Sequence, residues 1–222
     1  ELPYNWNTAN PVLKPEIAHL EYGAIPRGYA WIFPKANHLN IGAGVFKPTG
    51  GDARRDRALP EKLRQVILNY LRALHLPPPP DSLPFHAHPL PIWSGKEPLQ
   101  TADGRILLAG DAAGLINPFF GDGILHALKS GSMAASCIVE GATQHYSDRI
   151  HAEFASSFDA ARQLATLFYR VPKIGYDYGV KHPKASRIAT ELLTGELAYN
   201  NIVGRTIRHM VGAMLLPGKV RH

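Results

Sequence analysis

Between Arg105 and Cys137 the chain reads RILLAGDAAGLINPFFGDGILHALKSGSMAASC, and the residue best placed for chemistry there is a carboxylate, Asp111, set among glycines. A short apolar run, Ile106-Leu107-Leu108-Ala109, has the length of a buried strand. Gly110-Asp111 ends that run, so Asp111 stands at a strand tip, where an ionised carboxylate can accept hydrogen bonds from sugar-like hydroxyls. Ala112, Ala113 and Gly114 follow, and Asn117-Pro118 breaks the chain. Gly121-Asp122-Gly123 then leads into a helical pattern carrying Ile124, Leu125, Leu128, Met133 and Ile138. Gly121 and Gly123 lack a Cβ, so a flat ligand can approach their backbone closely. The first amides of the helix, at the positive end of its dipole, favour an acceptor oxygen or a developing anion.

Stepping outward, 222 residues at 45% hydrophobic suffice for one large domain or two small ones. No run of about 18 apolar residues is present, so no transmembrane helix is expected. The first residues, ELPYNWNTANP, lack the basic-then-apolar pattern of a signal peptide. The single cysteine, Cys137, excludes an internal disulfide framework and fits a reducing compartment. A net charge of +6 suits an anionic small molecule, a phosphate-bearing lipid or a membrane surface. Nucleic acid is excluded as a partner, because no Lys/Arg run is interleaved with aromatics.

Taken in order, residues 1–16 read as an irregular lead-in and Ile17–Ile25 as a strand. Pro26-Arg27-Gly28 is a turn signal. In GYAWIFPKANHLNIGAGVF (Gly28–Phe46), Tyr29, Trp31 and Phe33 alternate with Ala30 and Ile32, which at strand period puts three rings on one face. Pro34 to Asn37 turns the chain into a second strand, where Leu39, Ile41, Ala43 and Val45 share a face opposite Gly42 and Gly44. An antiparallel hairpin with an aromatic wall beside a glycine-flattened patch suits a long apolar ligand. Thr49 to Arg57 is a charged loop, and Glu61–Leu76 an amphipathic helix stopped by Pro77–Pro80. Phe85–Trp93 is extended and broken by prolines, an edge or crossover strand with His86 and His88 on one face. No carboxylate or cysteine stands at ligand spacing from them, so no metal is expected. Beyond Cys137, helices are expected over Ser147–Arg170, Pro183–Leu193 and Glu196–Met214, the last a basic amphipathic helix that is expected to pack on its own domain, with contact to an anionic membrane as the alternative.

The Arg105–Cys137 stretch resembles the second flavin-binding motif of FAD-dependent oxidoreductases related to p-hydroxybenzoate hydroxylase. Within that group GDAAGLINPFFGDGI is most similar to the geranylgeranyl reductase family. The resemblance implies a cofactor, FAD, held by Gly110, Asp111, Ala112, Pro118, Gly121, Asp122, Gly123 and Ile124. Asp111 would take its ribityl or diphosphate region, and the backbone from Pro118 to Ile124 would face the isoalloxazine edge. Tyr29, Trp31, Phe33 and Pro34, followed by Gly42 and Gly44, resemble the family's Tyr-x-Trp-x-Phe-Pro and Gly-x-Gly segment, which lines its substrate cavity. His88 to Pro91 resemble a segment that approaches the flavin.

The implied fold is α+β / α/β, the C-terminal part of a p-hydroxybenzoate hydroxylase-like FAD oxidoreductase. A substrate-side sheet domain with one helix spans 1–100, a returning segment of the FAD-binding domain 101–145, and a helical region 146–222. The implied activity is reduction of isoprenoid (geranylgeranyl) double bonds in lipid or chlorophyll biosynthesis, with NADPH or ferredoxin as reductant. The expected setting is cytoplasmic, peripheral at the membrane. The proton donor is unassigned, Tyr29 and His88 being candidates by position alone, and Arg27 or Lys35 could meet an anionic head group. No Gly-x-Gly-x-x-Gly βαβ unit occurs, so the N-terminal nucleotide-binding half is missing from this sequence. Two alternatives stay open: a flavin monooxygenase or halogenase of the same fold, and a non-catalytic lipid- or partner-binding module.

Overall fold

Alternation of rings with small aliphatic residues makes Gly28–Pro34 a strand, and its neighbours follow from it. The computed structural model describes residues 1–7, 10–46, 58–80, 82–95, 98–202 and 204. The chain forms two compact units, Glu1–Pro89 and Leu90–His222.

In the first unit, β1 (Leu2–Pro3), β2 (His19–Tyr22), β3 (Gly28–Pro34) and β4 (His38–Val45) form an antiparallel sheet in the order β1-β4-β3-β2. Tyr29 pairs with Gly44 and Trp31 with Gly42, so rings and glycines share one face, as the alternation requires. Ala30 pairs with Ala43 and Ile32 with Ile41 on the other face. There α1 (Leu59–Ala73) packs Ile67 and Leu71 against Ile32, Leu39, Leu2 and Leu13. The lead-in expected to be irregular supplies β1, whose Leu2 lies opposite Leu39 and is 6% exposed. Two residues carry too little periodicity to announce a strand; burial of Leu2 decides it. His75, at φ 55°, and the prolines after Leu76 end the helical segment. The charged loop expected at Thr49–Arg57 lies outside the described residues, as does nearly all of the basic pattern from Val203 to Met214.

The second unit is mainly helical: α2 (Ile124–Val139), α3 (Tyr146–Arg170), a short α4 (Pro172–Ile174) running into a π-helical segment (Gly175–Val180), and α5 (Ala185–Leu193). Along α3, Tyr146, Ile150, Phe154, Phe158, Ala161, Ala165 and Phe168 are buried at three- and four-residue spacing. Its N-terminal part packs with Trp93, Leu99, Leu115 and Cys137. Its C-terminal part packs with Phe120, Leu192, Tyr199 and Ile202.

Two expected strands are not formed among the described residues. Ile106–Ala109 forms no strand of a sheet; it makes a single antiparallel bridge, Leu107 to Gln100, around the turn at Gly104. Ile106 is 58% exposed. A short apolar run becomes a strand only when a neighbour completes its ladder, and the segment 99–101 is the sole partner it finds among the described residues. Phe85–Trp93 likewise has only an isolated bridge, Ile92 to Ile116, because its prolines remove ladder donors. With its named strands antiparallel and its helices segregated, the architecture is α+β; the parallel α/β arrangement is not formed among the described residues.

The Trp31 indole lies flat on Gly42, where any Cβ would collide with the ring carbons. Gly42→Ala is therefore expected to lift the indole and cost about 1–3 kcal/mol. Denaturant unfolding together with a shift in tryptophan emission checks this.

Candidate functional site

The segment from Leu108 to Ile124 is held by three polar side chains that the sequence reading passed over. Ser130, fully buried in α2, accepts a hydrogen bond from the Gly110 N–H at 3.0 Å and donates to the His126 carbonyl at 2.7 Å. Gly110 has φ 55°, and a Cβ there would sit 2.9 Å from that of Ala127, so the turn presses directly on the helix. The Tyr146 hydroxyl donates to the Leu108 carbonyl at 2.7 Å, and burial pushes its pKa up to about 12, which keeps it a donor. Asn117, 2% exposed, accepts from the Phe119 and Phe120 amides through Oδ1 at 2.8 and 3.2 Å. Its own amide donates to the Asp122 carbonyl at 2.9 Å, closing the loop 117–122. The signals were present: an Asn before Pro is an Asx-turn residue, and Ser130 lies one turn after His126.

On this frame Gly110–Ala113 is a 3-10 turn that leaves Asp111 and Ala112 exposed while Gly110 is buried. Pro118 is buried, Gly121 takes φ 72°, and Ile124 is 82% exposed. Gly123 precedes α2 with no side-chain cap, and the first intrahelical bond is Ala127 N–H to Gly123 O at 2.8 Å. The amides of Ile124, Leu125 and His126 thus stand ahead of the helical ladder. A Cβ on Gly123 would run into Ile116 and lie 3.3 Å from Asp111 Oδ1, so carboxylate and helix start are neighbours. Of the residues expected to bind a cofactor, Asp111 is therefore brought beside Gly123 at the start of α2. An exposed carboxylate beside uncapped amides can accept from hydroxyls and donate to an anionic or carbonyl oxygen.

Beneath that surface lies a second pair. Asp122 Oδ2 and His126 Nδ1 are 3.7 Å apart, one helical turn from each other. Asp122 Oδ1 and His126 Nδ1 are both buried without a hydrogen-bond partner. Burial pushes Asp122 up to about 6 and His126 below its usual value, so both favour the neutral form. The His126 ring packs edge-on against Phe158 and Phe154, at 4.7 and 5.7 Å.

In the first unit, Tyr29, Trp31, Phe33, Gly42 and Gly44 share one sheet face. Trp31 donates to Asn40 Oδ1 at 2.9 Å, and its ring is 5.8 Å from Tyr29 and 6.2 Å from Phe33. Phe33 is 37% exposed and Pro34 half-buried. His86 and His88 are exposed, and among the described residues no three His, Cys, Asp or Glu gather as a metal set would require. No described helix is long and apolar enough to cross a membrane.

No protein-family model matches the chain. Digeranylgeranylglycerophospholipid reductase 1 of Methanopyrus kandleri is 31% identical over 159 residues, covering 67% of this chain and 40% of that protein. The chloroplastic geranylgeranyl diphosphate reductase of Arabidopsis thaliana is 33% identical over 116 residues, 52% of this chain and 22% of its own. Over two thirds of its length the chain is thus similar to a protein of the geranylgeranyl reductase family. It also matches the menaquinone reductase of Mycolicibacterium smegmatis, 29% identical over 200 residues, 84% of this chain and 45% of that one. The chain spans less than half the length of these relatives. Within the geranylgeranyl reductase family flavin is the general cofactor, and the Asp111–Gly123 arrangement has the donors and acceptors that such a ligand demands.

Two outcomes follow for this geranylgeranyl reductase relative. Ser130→Ala leaves the Gly110 amide buried without an acceptor and should destabilise the second unit by about 1–3 kcal/mol in denaturant unfolding. Burial pushes Asp122 up to about 6, above the ordinary carboxylate value of 3.8, so folding favours its protonated form. The penalty for ionising it begins above the unfolded value and is complete above the folded one. Asp122→Asn should therefore change stability little at pH 4 and raise it by about 1–3 kcal/mol at pH 7, read from melts across that range.

Proposed function

We propose that this chain is part of a flavin-dependent reductase of isoprenoid double bonds, with the fold of the p-hydroxybenzoate hydroxylase-like FAD oxidoreductases. The observation that carries this is the convergence of an exposed carboxylate, Asp111, with the uncapped start of α2 across Gly123. Gly110, Asp111 and Ala112 would hold the ribityl or diphosphate region of FAD. Pro118, Gly121, Asp122, Gly123 and Ile124 would present backbone to its ring edge. Bound and reduced, FAD supplies a hydride. The chain's own part is to orient the cofactor and to place positive amide dipoles where negative charge develops. The Ser130 and Asn117 bonds keep those amides in place beforehand, so no reorganisation is needed during reaction.

The substrate class is supported by two observations. The relatives' names share polyprenyl compounds: a digeranylgeranyl glycerophospholipid, geranylgeranyl diphosphate and menaquinone. The Tyr29, Trp31, Phe33 face, flattened at Gly42 and Gly44, offers apolar surface to such a chain. An isolated alkene has no carbonyl to polarise, so positioning and exclusion of water must supply much of the rate.

A nucleotide-binding layer beyond this sequence completes the reading. Ile124, Leu128 and Ile138 are 82%, 70% and 63% exposed, and with Gly131 and Ala135 they form one stripe along α2. A Cβ on Gly131 would meet nothing within 4 Å. An apolar stripe with small residues at its centre suits a sheet packed closely upon it. NADPH or ferredoxin would provide the electrons.

The test uses the full reading frame containing this chain. It should purify with FAD, and under anaerobic conditions geranylgeranyl diphosphate should reoxidise its reduced flavin. Turnover only with oxygen would make it a monooxygenase, and a colourless protein that takes up no FAD a binding module. Asp111→Ala should weaken FAD binding about 10- to 100-fold, the loss of charge-assisted hydrogen bonds, measured by fluorescence titration.

A further inference from the structure

Reducing an alkene consumes a proton as well as a hydride, and no residue has so far been given that proton to hold. Asp122 lies between Gly121 and Gly123, two residues before the start of α2 and one before its N-cap position, Gly123. Its carboxylate makes no side-chain cap bond to α2, and Asp122 Oδ1 is buried without a partner. Its other oxygen faces His126 Nδ1 at 3.7 Å, too long for a hydrogen bond, while that nitrogen is also buried and unpaired. The Asp122 side chain retains 26% exposure, so the carboxyl is reachable from the loop surface. Two adjacent buried groups left unsatisfied are costly and call for a role.

Resting on the reductase reading, we propose that Asp122, backed by His126, holds and delivers the proton that isoprenoid reduction consumes. The step balances. Bound and reduced, FAD would supply the hydride and both electrons for a C–H bond at one alkene carbon, its own two-electron oxidation balancing the reduction. The Asp122 O–H bond breaks and its proton forms the second C–H bond, leaving a carboxylate. His126, one turn below, then returns a proton to that carboxylate from solvent.

The surroundings suit a group that is protonated near neutrality. From α3, Phe154 and Phe158 present only rings to His126. On α2, the nearest cation, Lys129, is engaged by Glu153 at 3.1 Å. From the 3-10 turn, Asp111 Oδ1 approaches Gly123. The Asp122 carbonyl is taken by the Asn117 amide.

The experiment is anaerobic reoxidation of the reduced, FAD-loaded full-length protein by geranylgeranyl diphosphate from pH 5 to 8.5, paired with infrared detection of protonated carboxyl groups. The wild-type rate should fall with rising pH through one bend, and a carboxylic carbonyl band should disappear with the same midpoint. Asp122→Asn should lose the band, the bend and about 100-fold or more of the rate while keeping its flavin. Asp122→Glu should retain the bend, and His126→Phe should shift it. Wild-type rate and pH profile in Asp122→Asn would overturn the proposal, as would loss of flavin from that variant with Asp122→Glu unable to restore the bend. If the wild type never reoxidises with the isoprenoid, the reductase reading falls. The carboxyl band then decides whether Asp122 holds a proton at all, and its absence at pH 5.5 overturns the assignment outright.

Discussion

The buried hydroxyl of Ser130 is the contact on which the second unit's surface chemistry depends. A serine within a helix ordinarily spends its hydroxyl on the preceding turn, and Ser130 does so through the His126 carbonyl. Its lone pairs remain available, and one of them takes the Gly110 amide. A single oxygen thus couples the glycine turn to the helix. Asp111, the next residue, is placed by that bond at the helix start although its own carboxylate is exposed. Tyr146 repeats the logic from α3 by clasping the Leu108 carbonyl. Rigidity comes from buried neutral hydrogen bonds, while the Asp111 carboxylate is left exposed.

Much of this could be read from residue order, and the parts that could not share a cause. Period-two alternation named the rings of β3 and the opposing glycines of β4, because pleating alone decides which side chains share a face. Period-3.6 spacing named α1, α2 and α3, and α3 buries the widest continuous face of the three. The Gly-Asp and Gly-Asp-Gly turns were legible since glycine and Asn-Pro punctuate strongly. The failed strand at Ile106–Ala109 shows the limit. Apolar content says that a segment seeks burial, but pairing is a property of its neighbours. Ser130 and Tyr146 were missed for a related reason. Their roles are contacts with backbone several residues away, and a polar residue inside an apolar pattern looks like an interruption until its partner is visible.

Gly42 separates two readings that composition cannot. A glycine opposite an aromatic residue can leave room for a ligand or for the ring itself, and here the Trp31 indole fills the space. The flattened patch is therefore a surface made of the indole face, pinned through Asn40, rather than bare backbone. Rings held along one strand, Trp31 nearly parallel to Phe33 and tilted to Tyr29, lose little freedom when an apolar chain lies on them.

Gly110 and Ala127 press together across the turn, with barely a methyl's width between them. The two positions, seventeen apart in the chain, behave as one lock. A bulkier neighbour at either end is intolerable unless the other retreats, and at 110 there is nothing left to remove. Across descendants of this sequence the pair should drift together or stand still, so a family tree ought to carry the imprint of a contact that no single position reveals.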